Sequence, residues 1–377
     1  MPGVRLDFDE LKDRSILVVG ATGFIGRIFV KRLLDLGLPG VSVFARGVSK
    51  TRDWRRRGVN VIVGDLTDPG AVATAVRGKD LIVNLAHDFK ADRAINETNF
   101  GHLLDAVVDA EPRRFLHVSS VVVYDGWPDQ DITEDLPLSR DNSDYIAAKV
   151  SAEKSIATRV DKSRTTSVIL QPTIVYGPGS WLWTNVIVEK MLVGKIAVSA
   201  GGHGLCNAVH VNDIIQGLLL AATRPVPAGQ KYILSGPEPI SWRQFLGAYE
   251  AMIGKPSTVF LDSEQDLQSR AAEPTINDGA REEGKWPANV LGALRRELDC
   301  RLSTRFKIRT KAALLRLTQR TTAPVFYPGP GDAELYAARG RCLIGKARSD
   351  LGYDPALDLS KGMALTEEYV KAKYLSR

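Results

Sequence analysis

The amino-acid sequence predicts an α/β fold built on a doubly wound parallel sheet. Its first two-fifths alternate short apolar runs with amphipathic helical patterns, which is the order that places helices on both faces of one sheet. The runs are almost wholly apolar, as buried parallel strands should be. They cover residues 15–19, 41–45, 59–63, 81–85 and 115–119. The helical patterns between them cover residues 26–35, 69–77 and 96–110.

The second half of the chain is less regular and predicts a smaller C-terminal substrate lobe. We expect a dinucleotide-binding domain at 1–175, to which later strands return from the C-terminal half, and mainly the substrate lobe at 176–377. The stretch at about 262–341 has the character of an insertion, because it opens polar and charged and then becomes a basic helical segment.

Composition is that of an ordinary globular protein, with 44% hydrophobic and 25% charged residues in 377. The three cysteines, Cys206, Cys300 and Cys342, are far apart and form no CxxC pair. We therefore expect neither a metal site nor a disulfide framework, and a reducing, cytoplasmic location. No apolar run has the length of a membrane-spanning helix.

The formal net charge of +6 is concentrated in residues 289–320, which hold nine basic residues and two acidic ones. Because the rest of the chain is nearly neutral, we expect no nucleic-acid partner. Apolar residues recur there at spacings of three and four, which predicts one apolar helix face: Leu291, Leu294, Leu298, Leu302 and Phe306. We favour packing of this face on the lobe or a partner subunit; the alternative is peripheral contact with an anionic membrane.

A glycine-rich turn follows the first strand and opens the first helix, the context that a dinucleotide site requires. Gly20 permits the tight turn, Gly23 lets the backbone approach the pyrophosphate, and Gly26 lets the helix pack against the sheet. The helix N-terminus supplies amide donors for phosphate. This pattern predicts a Rossmann-type domain. The predicted cofactor contacts in the turn are Gly20, Thr22, Gly23, Phe24, Ile25 and Gly26.

The ends of the next strands complete the predicted cofactor site. An acidic residue after the second strand would bind the ribose of NAD, but the strand ends in Arg46, which favours NADP over NAD. Asp65 and Leu66 follow the third strand, where the carboxylate can cap a helix or bind the adenine. Three residues after the fourth strand form the predicted wall against the cofactor: Leu85, Ala86 and His87.

Tyr145 and Lys149 are four residues apart, which places both on one face of a helix. A phenol has a pKa near 10, and we expect the nearby ammonium to lower it. Tyr145 would then transfer a proton to or from the substrate oxygen, and Lys149 can also bind the cofactor ribose. Ser120, at the end of the fifth strand, can orient that oxygen. Each residue alone also has a purely structural interpretation, as a cap or a surface residue.

Together these residues resemble the extended short-chain dehydrogenase/reductase superfamily, in its NAD-dependent epimerase/dehydratase branch. The resemblance implies that Ser120, Tyr145 and Lys149 are the catalytic set, and it makes a homodimer the expected assembly. It also places Pro172, Thr173 and Ile174 beside the nicotinamide. The motifs that occur in the family's order, besides the glycine turn, include Gly64-Asp65-Leu66, His117-Val118-Ser119-Ser120, Gln171-Pro172-Thr173, Ala208-Val209-His210 and Asp350-Leu351-Gly352-Tyr353.

One departure limits the activity. The 4,6-dehydratases of the family carry an Asp-Glu pair directly after the catalytic hydroxyl, and here Val121-Val122 stands in that place. No acid and base are then available to eliminate water. The family resemblance therefore favours an epimerase or a ketoreductase over a dehydratase.

The substrate remains open between three interpretations. A nucleotide-linked sugar is favoured, because residues 204–207 resemble members that act on sugar nucleotides. The predicted substrate contacts are then Ser120, Val121, Tyr145, Trp181, Asn185 and Asn207. The alternatives are a reductase or dehydrogenase of an apolar alcohol, of steroid or phenolic type, and a non-catalytic NADP-binding regulatory protein. Retention of the proton relay disfavours the last.

Overall fold

The computed structural model describes residues 8–125, 130–140, 143–262, 304–319 and 323–376. The strands are β1 Ile16–Val19, β2 Val41–Ala45, β3 Asn60–Val63, β4 Leu81–Asn84, β5 Arg114–Val118, β6 Thr166–Pro172, β7 Ile174–Tyr176, β8 Lys195–Val198, β9 Leu205–Cys206, β10 Ala208–His210, β11 Gln230–Leu234, β12 Ile240–Ser241, β13 Thr258–Phe260 and β14 Val325–Phe326. The α-helices are α1 Phe24–Asp35, α2 Arg52–Arg56, α3 Pro69–Val76, α4 Arg93–Ala110, α5 Asp144–Ser155, α6 Ile187–Val193, α7 Val211–Thr223, α8 Trp242–Ile253, α9 Thr304–Gln319, α10 Pro330–Ala337, α11 Gly345–Leu351 and α12 Leu359–Val370.

The described chain falls into two compact units. The first unit takes its residues from 1–175, 207–238 and 341–358, and the second from 176–206, 239–340 and 359–377. Two stretches of the C-terminal half thus belong to the first unit, among them β11, which pairs with β6.

A seven-stranded parallel sheet forms the centre of the first unit, in the order β11-β6-β5-β4-β1-β2-β3. This order runs outward in both directions from β1 and confirms the predicted doubly wound fold. The register aligns the strand ends: Val19 pairs with Phe44 on one side and with Asn84 on the other, and Asn84 pairs with His117. The loops that leave these ends therefore start side by side.

Helices cover both faces of this sheet because successive residues of a strand point to opposite faces. In β1, Ile16 and Val18 belong to the core shared with α1 and α7, whereas Leu17 and Val19 belong to the core shared with α3 and α4. All four side chains are at most 2% exposed. Each such side chain contributes about 1.5–3 kcal/mol to folding, so an apolar β1 is required on both sides.

Aspartate side chains at the N-cap positions determine where α3 and α4 begin. Asp68 accepts hydrogen bonds from the amides of Gly70 and Ala71, and Pro69 occupies the first turn of α3. Asp92 accepts one from the amide of Ile95 and so begins α4 three residues before the predicted start. The apolar periodicity does not register this cap, which is why the prediction began late.

The second unit holds a three-stranded parallel sheet, β13-β8-β14, and an aromatic cluster on α8. Trp242 is 1% exposed; its indole nitrogen donates to the carbonyl of Leu335 at 3.1 Å, and its ring lies edge-on to those of Phe245 and Tyr336. A reciprocal capping box between Ser241 and Gln244 begins α8. These contacts form a core separate from the central sheet.

Half of the basic segment lies outside the described residues, including Leu291, Leu294, Leu298 and Leu302. Within the described part, α9 packs Ile308 and Ala312 against Phe326, whereas Phe306 is 52% exposed. Phe306 therefore does not share the buried position of Ile308 and Ala312 in this chain, and its packing on a partner subunit stays a prediction. Within the described ranges, no helix combines the length and the apolar character needed to cross a membrane.

Arg114 on β5 ties the sheet to the end of α7. Its side chain is buried, and one guanidinium nitrogen donates to the carbonyls of Ala221 and Arg224 at 2.6 and 2.8 Å. A cation at a helix C-terminus also interacts favourably with the helix dipole. One side chain therefore satisfies carbonyls that the helix leaves unpaired.

We expect Arg114→Met to lower the free energy of unfolding by about 2 kcal/mol, because two buried carbonyls lose a charged donor. Chemical denaturation followed by circular dichroism measures this loss as a lower midpoint. The exposed Arg77→Met is the matched control, with no measurable change expected. An unchanged midpoint for Arg114→Met would show that the two hydrogen bonds contribute nothing to stability.

Candidate active site

The glycine turn between β1 and α1 requires the absence of side chains. Gly20 has a φ of +80°, and a Cβ there would lie 2.6 Å from backbone atoms of both Leu85 and Ala86. A Cβ on Gly26 would lie 2.3 Å from the carbonyl oxygen of Gly20. Gly23 is the N-cap of α1 and provides no side-chain cap, so the first-turn amides of this helix remain available as donors.

A cavity of about 370 Å³ in the first unit lies at this turn. Its lining joins the turn to the carboxyl ends of the strands and to α5. It brings together ten of the residues predicted from the sequence: Gly20, Thr22, Gly23, Arg46, Asp65, Leu66, Leu85, Ala86, His87 and Lys149. The other seven residues predicted to bind the cofactor are outside its lining: Phe24, Ile25, Gly26, Tyr145, Pro172, Thr173 and Ile174.

These residues fit a nicotinamide dinucleotide. A close backbone approach at Gly20 and uncapped amides at the start of α1 are what a pyrophosphate needs. The cavity is lined by residues at the ends of several parallel strands, which is where a dinucleotide binds in this type of fold. Gly20 and Gly26 also explain why bulkier residues are excluded from the turn.

Two cations line the cavity where β2 ends. Arg46 has a side-chain exposure of 77%, and its guanidinium lies 3.8 Å from the carboxylate of Asp88. Lys50 lines the same cavity but was not predicted, because it stands in an irregular segment with no periodic signal. Positive charge at this position is the feature that accommodates a ribose phosphate.

Asn84 lines the cavity and contacts two other lining residues, His117 and Ala86. Its amide nitrogen lies 3.1 Å from Nδ1 of His117, and its amide oxygen accepts a hydrogen bond from the backbone of Ala86. Burial places the pKa of His117 well below its usual value, so the imidazole is neutral. Nδ1 is then the acceptor and Nε2 carries the proton. Sequence reasoning missed this pair, because the contact depends on strand register.

Ser120, Tyr145 and Lys149 come together at the end of β5 and the start of α5. The Tyr145 hydroxyl is hydrogen-bonded to Ser120. The Lys149 ammonium lies 5.9 Å from the centroid of the Tyr145 ring and donates to the carbonyl of Val118 at 2.9 Å. The arrangement brings together a hydroxyl, a phenol and an ammonium, which are the groups that the predicted proton relay requires.

Burial governs the acidity of this group. Desolvation raises the pKa of Tyr145, and the hydrogen bond from Ser120 opposes this only in part. The prediction that Lys149 lowers this pKa is therefore wrong for the structure described. Burial lowers the pKa of Lys149 itself to about 8, with the charge of Glu153 opposing the shift. A lysine near its own pKa has less charge with which to stabilise a phenolate.

Two aromatic rings lie against the ring of Tyr145. Phe89 stacks on Tyr145 with 5.4 Å between ring centroids, and His87 lies edge-on to both rings, at 4.8 and 4.9 Å. Burial and the charge of Lys149 lower the pKa of His87 to about 4, so this ring is neutral. Phe89 is nevertheless 75% exposed. The sequence gives no signal for Phe89, because it stands in a loop.

Several predicted residues have structural contacts. Val121 is buried in a short 3₁₀ turn. The Thr173 hydroxyl donates to Ser235 at 3.2 Å. Asn207 is 2% exposed, and its amide oxygen accepts a hydrogen bond from the backbone of Cys342 at 2.9 Å. Its role as a substrate contact remains a prediction that this placement does not favour.

Trp181 and Asn185 belong to the second unit. Trp181 is 54% exposed, whereas the amide oxygen of Asn185 accepts a hydrogen bond from the hydroxyl of Tyr369 at 2.9 Å. Both remain predictions as substrate contacts.

A buried carboxylate stands behind the relay. Glu153, one turn after Lys149 on α5, is 1% exposed and accepts hydrogen bonds from Ser119 at 2.5 Å and from Gln171 at 2.9 Å. Lys231 lies 2.9 Å from its other oxygen. The spacing of four after Lys149 was visible in the sequence, but only the sheet order shows that Lys231 reaches the same point.

Comparison with protein families identifies one matching family model. The model of the NAD dependent epimerase/dehydratase family matches residues 16–234, a span that begins at β1 and ends at β11. It therefore includes the glycine turn, the relay and the cavity lining described above.

Relatives and solved structures agree at the level of family and fold. A ketoreductase of Stigmatella aurantiaca, named for a farnesyl dihydroquinoline-oxide, is 27% identical over 238 residues, covering 61% of this chain and 70% of that protein. A 3β-hydroxysteroid dehydrogenase/Δ5→4-isomerase of Mycobacterium tuberculosis is 31% identical over 251 residues, covering 61% and 67%.

Among solved structures, a dTDP-glucose 4,6-dehydratase from Streptomyces venezuelae with NAD bound has a TM-score of 0.67 and 21% identity, covering 95% of this chain and 97% of that one. An epimerase from Methanothermobacter thermautotrophicus has a TM-score of 0.69 and 16% identity, covering 98% and 95%. At such identities these two show the fold alone. The family match settles the assignment: the chain belongs to the NAD dependent epimerase/dehydratase family and is an enzyme of the extended short-chain dehydrogenase/reductase type.

Proposed function

We propose that this enzyme is an NADPH-dependent reductase of a ketone carried on an apolar substrate, able to run in reverse as a dehydrogenase. The observation that carries the proposal is the aromatic group around Tyr145. An exposed Phe89 and a neutral His87 give one side of the proton donor, away from the Lys149 ammonium, an aromatic and uncharged surface. Such a surface suits a hydrocarbon or aromatic substrate better than a hydroxylated sugar.

The residues supply the proton half of the reaction. The nicotinamide, when bound, supplies a hydride to the carbonyl carbon. Ser120 orients the carbonyl oxygen, and the Tyr145 hydroxyl gives its proton to that oxygen as the C–H bond forms, which yields the secondary alcohol. The phenolate recovers a proton from solvent. Because burial raises the pKa of Tyr145, the residue stays protonated near neutral pH, ready to act as an acid.

Similarity to named relatives supports an apolar substrate. The names of the relatives include a ketoreductase of a farnesylated ring system, 3β-hydroxysteroid dehydrogenases and 2-alkyl-3-oxoalkanoate reductases. Each of these names describes a ketone or a secondary alcohol on a largely hydrocarbon molecule. We infer the same substrate class for this chain, without choosing among those compounds.

Positive charge beside the cavity supports NADP as the cofactor. Arg46 and Lys50 both line it near the end of β2, where an acidic residue would favour NAD. Asp88 is close enough to Arg46 to hold its guanidinium at the edge of the cavity.

Action on a nucleotide-linked sugar is the second candidate. It draws support from the exposed ring of Trp181, which can stack on a sugar or base. Nucleotide released on denaturing the purified protein separates the two candidates. Tightly held NAD or NADP favours an epimerase, which regenerates its cofactor in each turnover. The homodimer and the membrane contact through 289–320 stay predictions.

We expect Tyr145→Phe to lower kcat for ketone reduction about 10²–10⁴-fold, because the proton donor is lost. NADPH oxidation with a panel of 3-ketosteroids, 2-alkyl-3-oxoalkanoates and UDP- or dTDP-sugars measures this. Tyr374→Phe, in the second unit, is the control and should retain full activity. Turnover of a ketone by Tyr145→Phe at the wild-type rate would exclude the relay.

We expect Arg46→Ala to weaken NADPH binding about tenfold, because a charged donor to the ribose phosphate is removed, and to leave NADH binding within about twofold. Fluorescence titration of each cofactor measures the two Kd values. Arg52→Ala, a nearby exposed arginine, is the control. Equal losses for both cofactors would contradict the preference for NADP.

We expect Phe89→Ala to lower kcat/KM for an apolar ketone about tenfold, because a stacking surface of about 1.4 kcal/mol is removed. The Kd for NADPH should not change. Phe306→Ala provides an exposed phenylalanine elsewhere as the control. An unchanged kcat/KM for every apolar ketone in the panel would remove the main support for an apolar substrate.

A further inference from the structure

Lys149 is buried in surroundings that disfavour its charged form. Its side chain is 6% exposed, and burial alone would make an ammonium unfavourable. With its pKa lowered to about 8, the residue is charged near neutrality and loses its proton as the pH rises through that value. A small change in local electrostatics would therefore change its charge in the working pH range.

Glu153 is the anion placed to oppose this loss. Residues four apart on a helix lie on one face, with Cβ atoms about 5–6 Å apart, so Glu153 stands directly behind Lys149 on α5. Its carboxylate is held from three directions. Ser119 follows β5, Gln171 belongs to β6 and Lys231 belongs to β11.

These three side chains hold the Glu153 carboxylate in place, two by hydrogen bonds and Lys231 by an ion pair. Lys231 is itself 27% exposed, so its ammonium retains contact with solvent while it faces Glu153. The cation at the sheet edge and the cation in the site thus share one anion.

The other groups around this cluster do not mask the titration of Lys149. On its own side it faces Tyr145 from α5, His117 from β5 and His87 after β4. Burial lowers the pKa of both histidines, that of His87 to about 4, and it raises the pKa of the tyrosine. Tyr124 and Glu134 face the Glu153 side, and burial raises the pKa of both.

We propose that Glu153 is a positioning residue that keeps Lys149 charged in the active site, and that Lys231 sets the strength of this effect by partly neutralising Glu153. The proposal rests on the proposed function for the role of Lys149 beside Tyr145. A residue that only held α5 against the sheet would contribute the same hydrogen bonds but would not tune this charge.

Because Glu153 and Lys231 carry opposite charges, substitutions of the two residues should displace the titration of Lys149 in opposite directions. Removing the charge of Glu153 leaves Lys149 with burial and no counter-charge, so it loses its proton at lower pH. Removing the charge of Lys231 leaves Glu153 less neutralised, so Lys149 keeps its proton to higher pH. A structural role predicts a loss of stability from both changes and no displacement of the titration.

The test compares Glu153→Gln, Lys231→Met and the unaltered enzyme between pH 6 and 10. The rate at which acetic anhydride acetylates Lys149, followed by peptide mass spectrometry, reports the neutral amine without any turnover. We expect its midpoint to fall by about one pH unit in Glu153→Gln and to rise by about half a unit in Lys231→Met. The loss of kcat/KM for ketone reduction at high pH should move in parallel.

Unchanged midpoints in both variants, or shifts in the same direction, would overturn the proposal. If Glu153→Gln fails to fold, Lys231→Met alone decides, because this side chain reaches solvent; no upward shift then refutes the role of the pair. Acetylation midpoints that shift as expected, while Tyr145→Phe still reduces ketones, would refute the proposed relay but not the electrostatic coupling.

Discussion

The parallel register of β1, β4 and β5 is the constraint on which the site depends. This register pairs Val19 with Asn84 and Asn84 with His117. The turn after β1 and the segment after β4 therefore begin next to each other at the same edge of the sheet. Contact between them is so close that Gly20 admits no side chain. A shift of one residue would turn Asn84 to the other face and break its bonds to His117 and Ala86.

Burial of charge is the second feature on which the chemistry depends. An isolated ammonium inside a protein is unfavourable by several kcal/mol, and it persists only where partners offset the desolvation. Val118 offers Lys149 a carbonyl, and Glu153 offers it an opposite charge. Because Glu153 is bonded to Ser119 and Gln171, the packing of α5 on β5 and β6 and the protonation of Lys149 are set by the same contacts.

The sequence predicted what depends on local pattern and missed what depends on three-dimensional neighbours. The strands and the glycine turn follow from apolar runs and from spacing, and the structure confirms the doubly wound sheet. For Asn207, whose substrate contact stays a prediction, the sequence does not reveal that the backbone amide of Cys342, 135 residues later, donates to its amide oxygen. The acidity of Tyr145 was misjudged for the same reason: spacing reveals a neighbouring ammonium but not the burial that outweighs it.

The loop after β4 contributes both to the cavity and, under the proposed function, to the surface that contacts the substrate. Asn96 on α4 holds this loop by accepting from the amide of Asp88 and donating to its carbonyl. Asp88 also faces Arg46, so the same short segment that positions a cation beside the cavity presents Phe89 to Tyr145. Changes in this loop would therefore alter cofactor preference and substrate polarity together. Because a fixed loop loses little entropy when a ligand binds, an exposed ring on it can form a binding surface before the substrate arrives.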